Sequence, residues 1–194
     1  MSAGGGGAPD GAAAAERHDV ELHLYDLSRG LAASFAPMLG MNLEAIWHSS
    51  VVVRESGGGR AVETFFGYGV QTAAAGTTPF GAPVRVLPLG RTELSAADRA
   101  ALLAELAERY RPHHYHLVTN NCNHFAHEYA QVLCGRGAPD DVVGQARALL
   151  DTPLGRTVVE PLLRQVEGVT GRATATGFDG GGAAGGGGGG GGAR

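Results

Sequence analysis

The chain has 194 residues with 15 Lys and Arg against 19 Asp and Glu, a net charge of -4, and no basic cluster able to neutralise a row of phosphates. Nucleic acid is thereby excluded as an expected partner. No apolar stretch reaches the ~20 residues that cross a bilayer, and the N-terminus has neither the charged start nor the apolar run of a signal peptide.

A soluble, intracellular protein is the expectation, in the cytoplasm with the nucleus left open. The two cysteines fit it. On one helix Cys122 and Cys134 would stand ~18 Å apart, far beyond the ~7 Å that a disulfide spans, so both are expected as free thiols in a reducing compartment. Residues 1–17 are mostly Gly and Ala, and residues 169–194 end in a run from Gly185 to Gly192. Such segments have no side chains to bury and keep their backbone entropy, so both ends are expected to be disordered. Residues 18–168 then form one domain with one core, a common size.

In chain order, Val20, Leu22 and Leu24 alternate with Glu21, His23 and Tyr25, the period of a half-buried strand. A short helical stretch follows around Leu31–Leu39. Trp47–Val53 is rich in β-branched residues and predicts a second strand, Gly57–Gly59 a hairpin turn, and Ala61–Phe66 an antiparallel return. Gly67, Gly69 and Gly76 mark a loop before another strand at Val84–Leu89.

Ser95 and Asp98 have the spacing of a capping box, and Leu102, Leu103, Leu106 and Tyr110 recur at helical spacing, predicting a helix over Ser95–Arg109 that Pro112 ends. Tyr115–Val118 reads as a short strand. Asn120-Asn121 offers an N-cap for a helix with Phe125, Tyr129, Val132 and Leu133 on one face, closed by Gly135. Asp140–Leu150 and Thr152–Val166 predict two more helices, the second opened by Pro153 and interrupted by Pro161. Strands first and helices later indicate an α+β domain with a mostly antiparallel sheet.

Cys122 opens a helix directly after two asparagines, where unpaired N–H groups and the helix dipole favour a thiolate. Position alone fits a nucleophile and an inert buried cysteine equally well. A cysteine hydrolase also needs an imidazole within reach. His48, at the start of an apolar strand, is suited to aiming a ring, although a structural histidine fits the same place. His124 and His127 project from the thiol's own helix and are poor bases for it. Cys134, at the far end of that helix, is expected to be inert. The donors Cys122, His124, His127, His113, His114 and His116 match no zinc spacing, so no metal and no cofactor are expected. Asp26 reads as a turn residue, with organisation of the following loop as the alternative.

The blocks Leu24–Gly30, Ile46–Val52 and Asn121–Phe125, with Phe65-Phe66-Gly67, Leu150–Pro153 and Pro161–Leu163 in the same order, resemble the PPPDE family over His18 to Val166. That resemblance implies a permuted papain-like fold and a Cys–His dyad in which histidine precedes cysteine, with His48 and Cys122 in those places. It implies a cysteine isopeptidase removing a SUMO- or ubiquitin-like modifier from target lysines, with conjugated proteins as partners and a homodimer as the assembly. Protein S-depalmitoylation by the same dyad, or a non-catalytic adaptor, are the rival readings. An LRAT-like acyltransferase, with its own Asn-Cys-Glu-His-Phe motif, is a related reading weakened by the lack of a membrane anchor. In the implied reaction the Cys122 backbone N–H holds the oxyanion, Asn121 orients or adds a donor, and His48 protonates the departing amine.

Overall fold

A computed structural model describes residues 16–40 and 42–152. The predicted helix at Thr152–Val166, apart from its first residue, and most of both Gly-rich ends lie outside these residues. Within them, five strands form one antiparallel sheet in the order β4-β3-β2-β1-β5: β1 His18–Asp26, β2 Trp47–Arg54, β3 Ala61–Gly67, β4 Gly69–Ala74 and β5 Arg85–Thr92. The helices are α1 Leu31–Phe35, α2 Ala96–Arg109, α3 Cys122–Cys134, α4 Asp140–Val143 and α5 Gln145–Leu150. The α+β architecture expected from the sequence is the one observed.

The sheet is built on β1 and β2, whose apolar residues coincide across the ladder: Leu22 faces Val51 and Val20 faces Val53. Alternation sends Trp47, Val51 and Val53 to one face, where α3 lays Phe125, Ala126, Tyr129, Ala130 and Leu133 against them. Val132, predicted on that same helix face, is instead 52% exposed, and small alanines take the contact so that helix and sheet approach closely. Phe66, Tyr110, Phe125 and Tyr129 form a chain of aromatic contacts through this core. α2 is held by the predicted capping box, with Ser95 Oγ accepting from Asp98 N–H at 3.1 Å.

Three expectations are corrected. Gly69–Ala74 is a strand, not loop: it is an edge strand hydrogen-bonded only to β3, with Gly67 and Gly69 turning the hairpin, and its Ala and Gly content hid it. Tyr115–Val118 is a turn closed by one isolated bridge between His116 and Asn120. The helix predicted over Asp140–Leu150 is broken at Gly144 into α4 and α5. The break aims Gln145 at the chain before β2, where its amide accepts from Trp47 N–H at 2.9 Å and donates to Ala45 O at 2.9 Å. The α1 stretch is short because it buries only Ala32, leaving Leu31 and Phe35 exposed.

Candidate active site

Asp26 ends β1 and gathers the following loop. Its carboxylate accepts from Ser28 N–H, Ser28 Oγ–H and Gly30 N–H, and from Ile46 N–H at 3.0 Å. Burial pushes the carboxyl up, but these bonds outweigh it and hold the group below its ordinary range. The loop-organising reading of Asp26 holds, and its bond to Ile46 also fixes the chain two residues before His48.

His48 is fully buried on β2. By alternation it points away from α3, onto the face shared with Ser50 and Tyr25. Its ring lies 3.9 Å from the centroid of Phe80 and about 6 Å from those of Tyr25 and Phe65. Neither ring nitrogen has a hydrogen-bond partner. Burial without a partner penalises the cation, and the imidazole is pushed down to about 3.

Cys122 is the first residue of α3, and Asn121 caps it: Asn121 Oδ1 accepts from Asn123 N–H at 2.9 Å and His124 N–H at 3.1 Å. Asn121 Nδ2 donates to Leu117 O at 2.6 Å, so this side chain shapes the helix start. Cys122 is 4% exposed, and its sulfur reaches the backbone of Ser49, the residue after His48. That approach is possible because β2 pairs with β3 only from Val51 onward, leaving the Ser49 edge open to α3. The expectation of a favoured thiolate is corrected. Burial pushes the thiol up to about 11, although Ser49 N–H, the Tyr115 hydroxyl and the N–H groups of Asn123 and Cys122 all pull the other way.

The structure therefore brings the Cys122 sulfur to the strand that carries His48 without forming a thiol–imidazole hydrogen bond. The thiol donates to Asn123 Oδ1 at 3.7 Å. His124 is engaged with Asn121 Oδ1, and His127 Nδ1 with Ala138 O, as suits residues expected to be poor bases. Among the described residues no group of three or more His, Cys, Asp or Glu is arranged to hold a metal ion, and no helix is long and apolar enough to cross a membrane.

Sequence reasoning missed Ser49, Tyr115, Asn123 and Gln145. Asn123 had a visible signal, since a third asparagine directly after the cysteine sits in the first helical turn, where a buried amide must find partners. Gln145 had none, because its partners are 98 and 100 residues away.

A profile of the PPPDE peptidase domain matches residues 18–163. Desumoylating isopeptidase 1 of Xenopus laevis is 39% identical over 153 residues, covering 77% of this chain and 86% of that protein. The human protein of the same name is 38% identical over 153 residues, covering 77% and 87%. A DeSI-like protein of Arabidopsis thaliana is 32% identical over 89 residues, 43% of this chain and 40% of that one. A domain match spanning every element of the sheet, with the Xenopus and human relatives aligned over most of their length, carries one conclusion: the chain belongs to the PPPDE peptidase family and is a cysteine-type peptidase.

Proposed function

We propose that this protein is a deSUMOylating isopeptidase, with Cys122 as nucleophile and His48 as acid and base. The observation that carries the reading is the position of the Cys122 sulfur, at the tip of α3 and against the backbone of Ser49, in a chain similar over most of its length to desumoylating isopeptidase 1. Both groups are uncharged at neutral pH in this structure, since burial raises the thiol and lowers the imidazole. Proton transfer thus accompanies attack, once substrate or water enters at the open edge of β2 and the imidazole turns toward the thiol.

The sulfur then bonds to the carbonyl carbon of the isopeptide, and the Cys122 N–H stabilises the developing oxyanion. His48 returns the proton to the lysine amine as it leaves. Water, deprotonated by His48, attacks the acyl-enzyme, frees the modifier's carboxylate and restores the thiol. Asn121 acts by orienting the first turn of α3. A reducing compartment suits this reading, because Cys122 and Cys134 are both free.

The test is cleavage of a SUMO–lysine conjugate, a ubiquitin–lysine conjugate and an acyl-thioester probe by wild type, Cys122→Ser and His48→Ala. SUMO cleavage that falls by at least about 10³-fold in both variants is expected, in line with the loss of a nucleophile or its general base. Turnover of the thioester alone would replace the reading with a depalmitoylase. Activity equal in wild type and Cys122→Ser would refute it.

A further inference from the structure

We infer that Asn123 is a positioning residue that sets the nucleophile at the tip of α3 against the two flanks of His48; the inference rests on Cys122 and His48 being the reacting pair. Asn123 is 4% exposed. Its Nδ2 donates to Trp47 O at 3.2 Å and to Val142 O at 3.1 Å. Its Oδ1 accepts from Ser49 Oγ at 2.8 Å and from the Cys122 thiol at 3.7 Å. The amide has two donors and two acceptor sites, and all four are engaged.

The placement of those partners gives the amide its role. Trp47 and Ser49 are the residues immediately before and after His48, so two of the four bonds straddle the imidazole's anchor on β2. A third holds the thiol, and the fourth ties the arrangement to α4. Gln145 grips the same stretch from α5 through Trp47 N–H and Ala45 O. The His48 backbone is thus fixed from both flanks, while its ring, with neither nitrogen bonded, has no polar tether of its own.

The thiol–imidazole separation is therefore governed by backbone position, and the Asn123 side chain touches both halves. Because its oxygen already receives the thiol hydrogen, it also holds the proton that His48 must take. A neutral amide suits this place, whereas a carboxylate would face two carbonyl oxygens and oppose the thiolate.

The experiment uses the full chain in a Cys134→Ala background, so that Cys122 is the one thiol. The rate of Cys122 alkylation by iodoacetamide is measured from pH 5 to 11, alongside kcat and KM for the SUMO–lysine conjugate and the thermal midpoint. Asn123→Ala is expected to lower kcat by about 10²-fold, the scale of a 1 Å misplacement, with KM within about twofold. It should also lose the part of the alkylation profile that His48→Ala removes.

Ser49→Ala, which deletes one bond of the four, should lower kcat by about 3- to 10-fold, and Ser49→Thr, which keeps the hydroxyl on a strand, should restore it. If Asn123→Ala does not fold, the Ser49 pair decides the question. Asn123→Ala with a lowered thermal midpoint but wild-type kcat and alkylation profile would overturn the inference, as would Ser49→Ala with no change in kcat. A wild-type profile in His48→Ala would instead refute the assignment of the reacting pair, and this inference with it.

Discussion

The two faces of the sheet are both buried around β2, one mainly by apolar contacts and the other by a mixture of aromatic packing and buried polar groups. On the α3 face the contacts are mainly apolar, with Val51, Val53, Phe66, Phe125 and Leu133 packed together, and polar groups gather around Cys122 and Asn123, with Thr64 bonded to Tyr129 beside Val51. On the other face the buried side chains mix polar His48, Ser50, Tyr25 and Glu63 with apolar Val52 and Phe65. There the Glu63 carboxylate accepts from Tyr25 and Ser50 hydroxyls at 2.6 Å each and from Gly76 N–H at 3.2 Å. Gly76 begins the stretch that lays Phe80 over the His48 ring. The first face derives its stability from area removed from water, the second from aromatic packing around His48 together with the hydrogen bonds of Glu63. The proposed reacting pair takes one residue from each: the hydrophobic core positions the α3 side, and burial against Phe80 and Phe65 keeps the His48 ring neutral on the other.

Four measurements break or sharpen that contrast. Phe125→Ala strikes the apolar face at a fully buried ring and should cost about 3–5 kcal/mol in urea unfolding, through lost burial plus the cavity. Glu63→Ala strikes the polar face and should cost about 2–3 kcal/mol, because two hydroxyls and an N–H lose their acceptor. Equal tolerance of Glu63→Ala and an exposed glutamate such as Glu105→Ala would show that the network contributes nothing.

The third concerns His48. Its folded-state value is depressed to about 3, so its contribution is fully present above the unfolded value near 6.5 and is lost as pH falls toward 3. Between pH 7 and pH 5 the wild type should lose about 2 kcal/mol more than His48→Leu, the cost of a proton that only the unfolded chain binds. A difference that does not change with pH would mean that the imidazole is hydrated in solution. The smallest effect is at the rim of the apolar face, where Ser95→Ala removes the α2 cap and should cost about 1 kcal/mol in the same unfolding assay.

Much of this was legible along the chain. The alternation in Val20–Leu24 and the β-branched run after His48 fixed β1 and β2, Ser95 and Asp98 marked the start of α2, and Asn121 and Gly135 bracketed α3. Where the sequence misled, the cause was tertiary. Gly69–Ala74 has weak strand propensity and pairs because β3 offers an edge, and α4 and α5 part at Gly144 so that Gln145 can reach β2. The residues Cys122 and His48 were identifiable as candidates, yet the bonds of Asn123 to Trp47 and Ser49 could not be read, since they join positions 76 and 74 apart.

By itself the sequence determined the elements with strong periodicity, the helix start that presents Cys122, and the ordered motifs that mark the family, because each is encoded in residues a few positions apart. Only the tertiary structure decided the electrostatic state of the site. A helix N-terminus predicts a favoured thiolate, but burial raises Cys122 and lowers His48, and burial is set by what the rest of the chain places around a group.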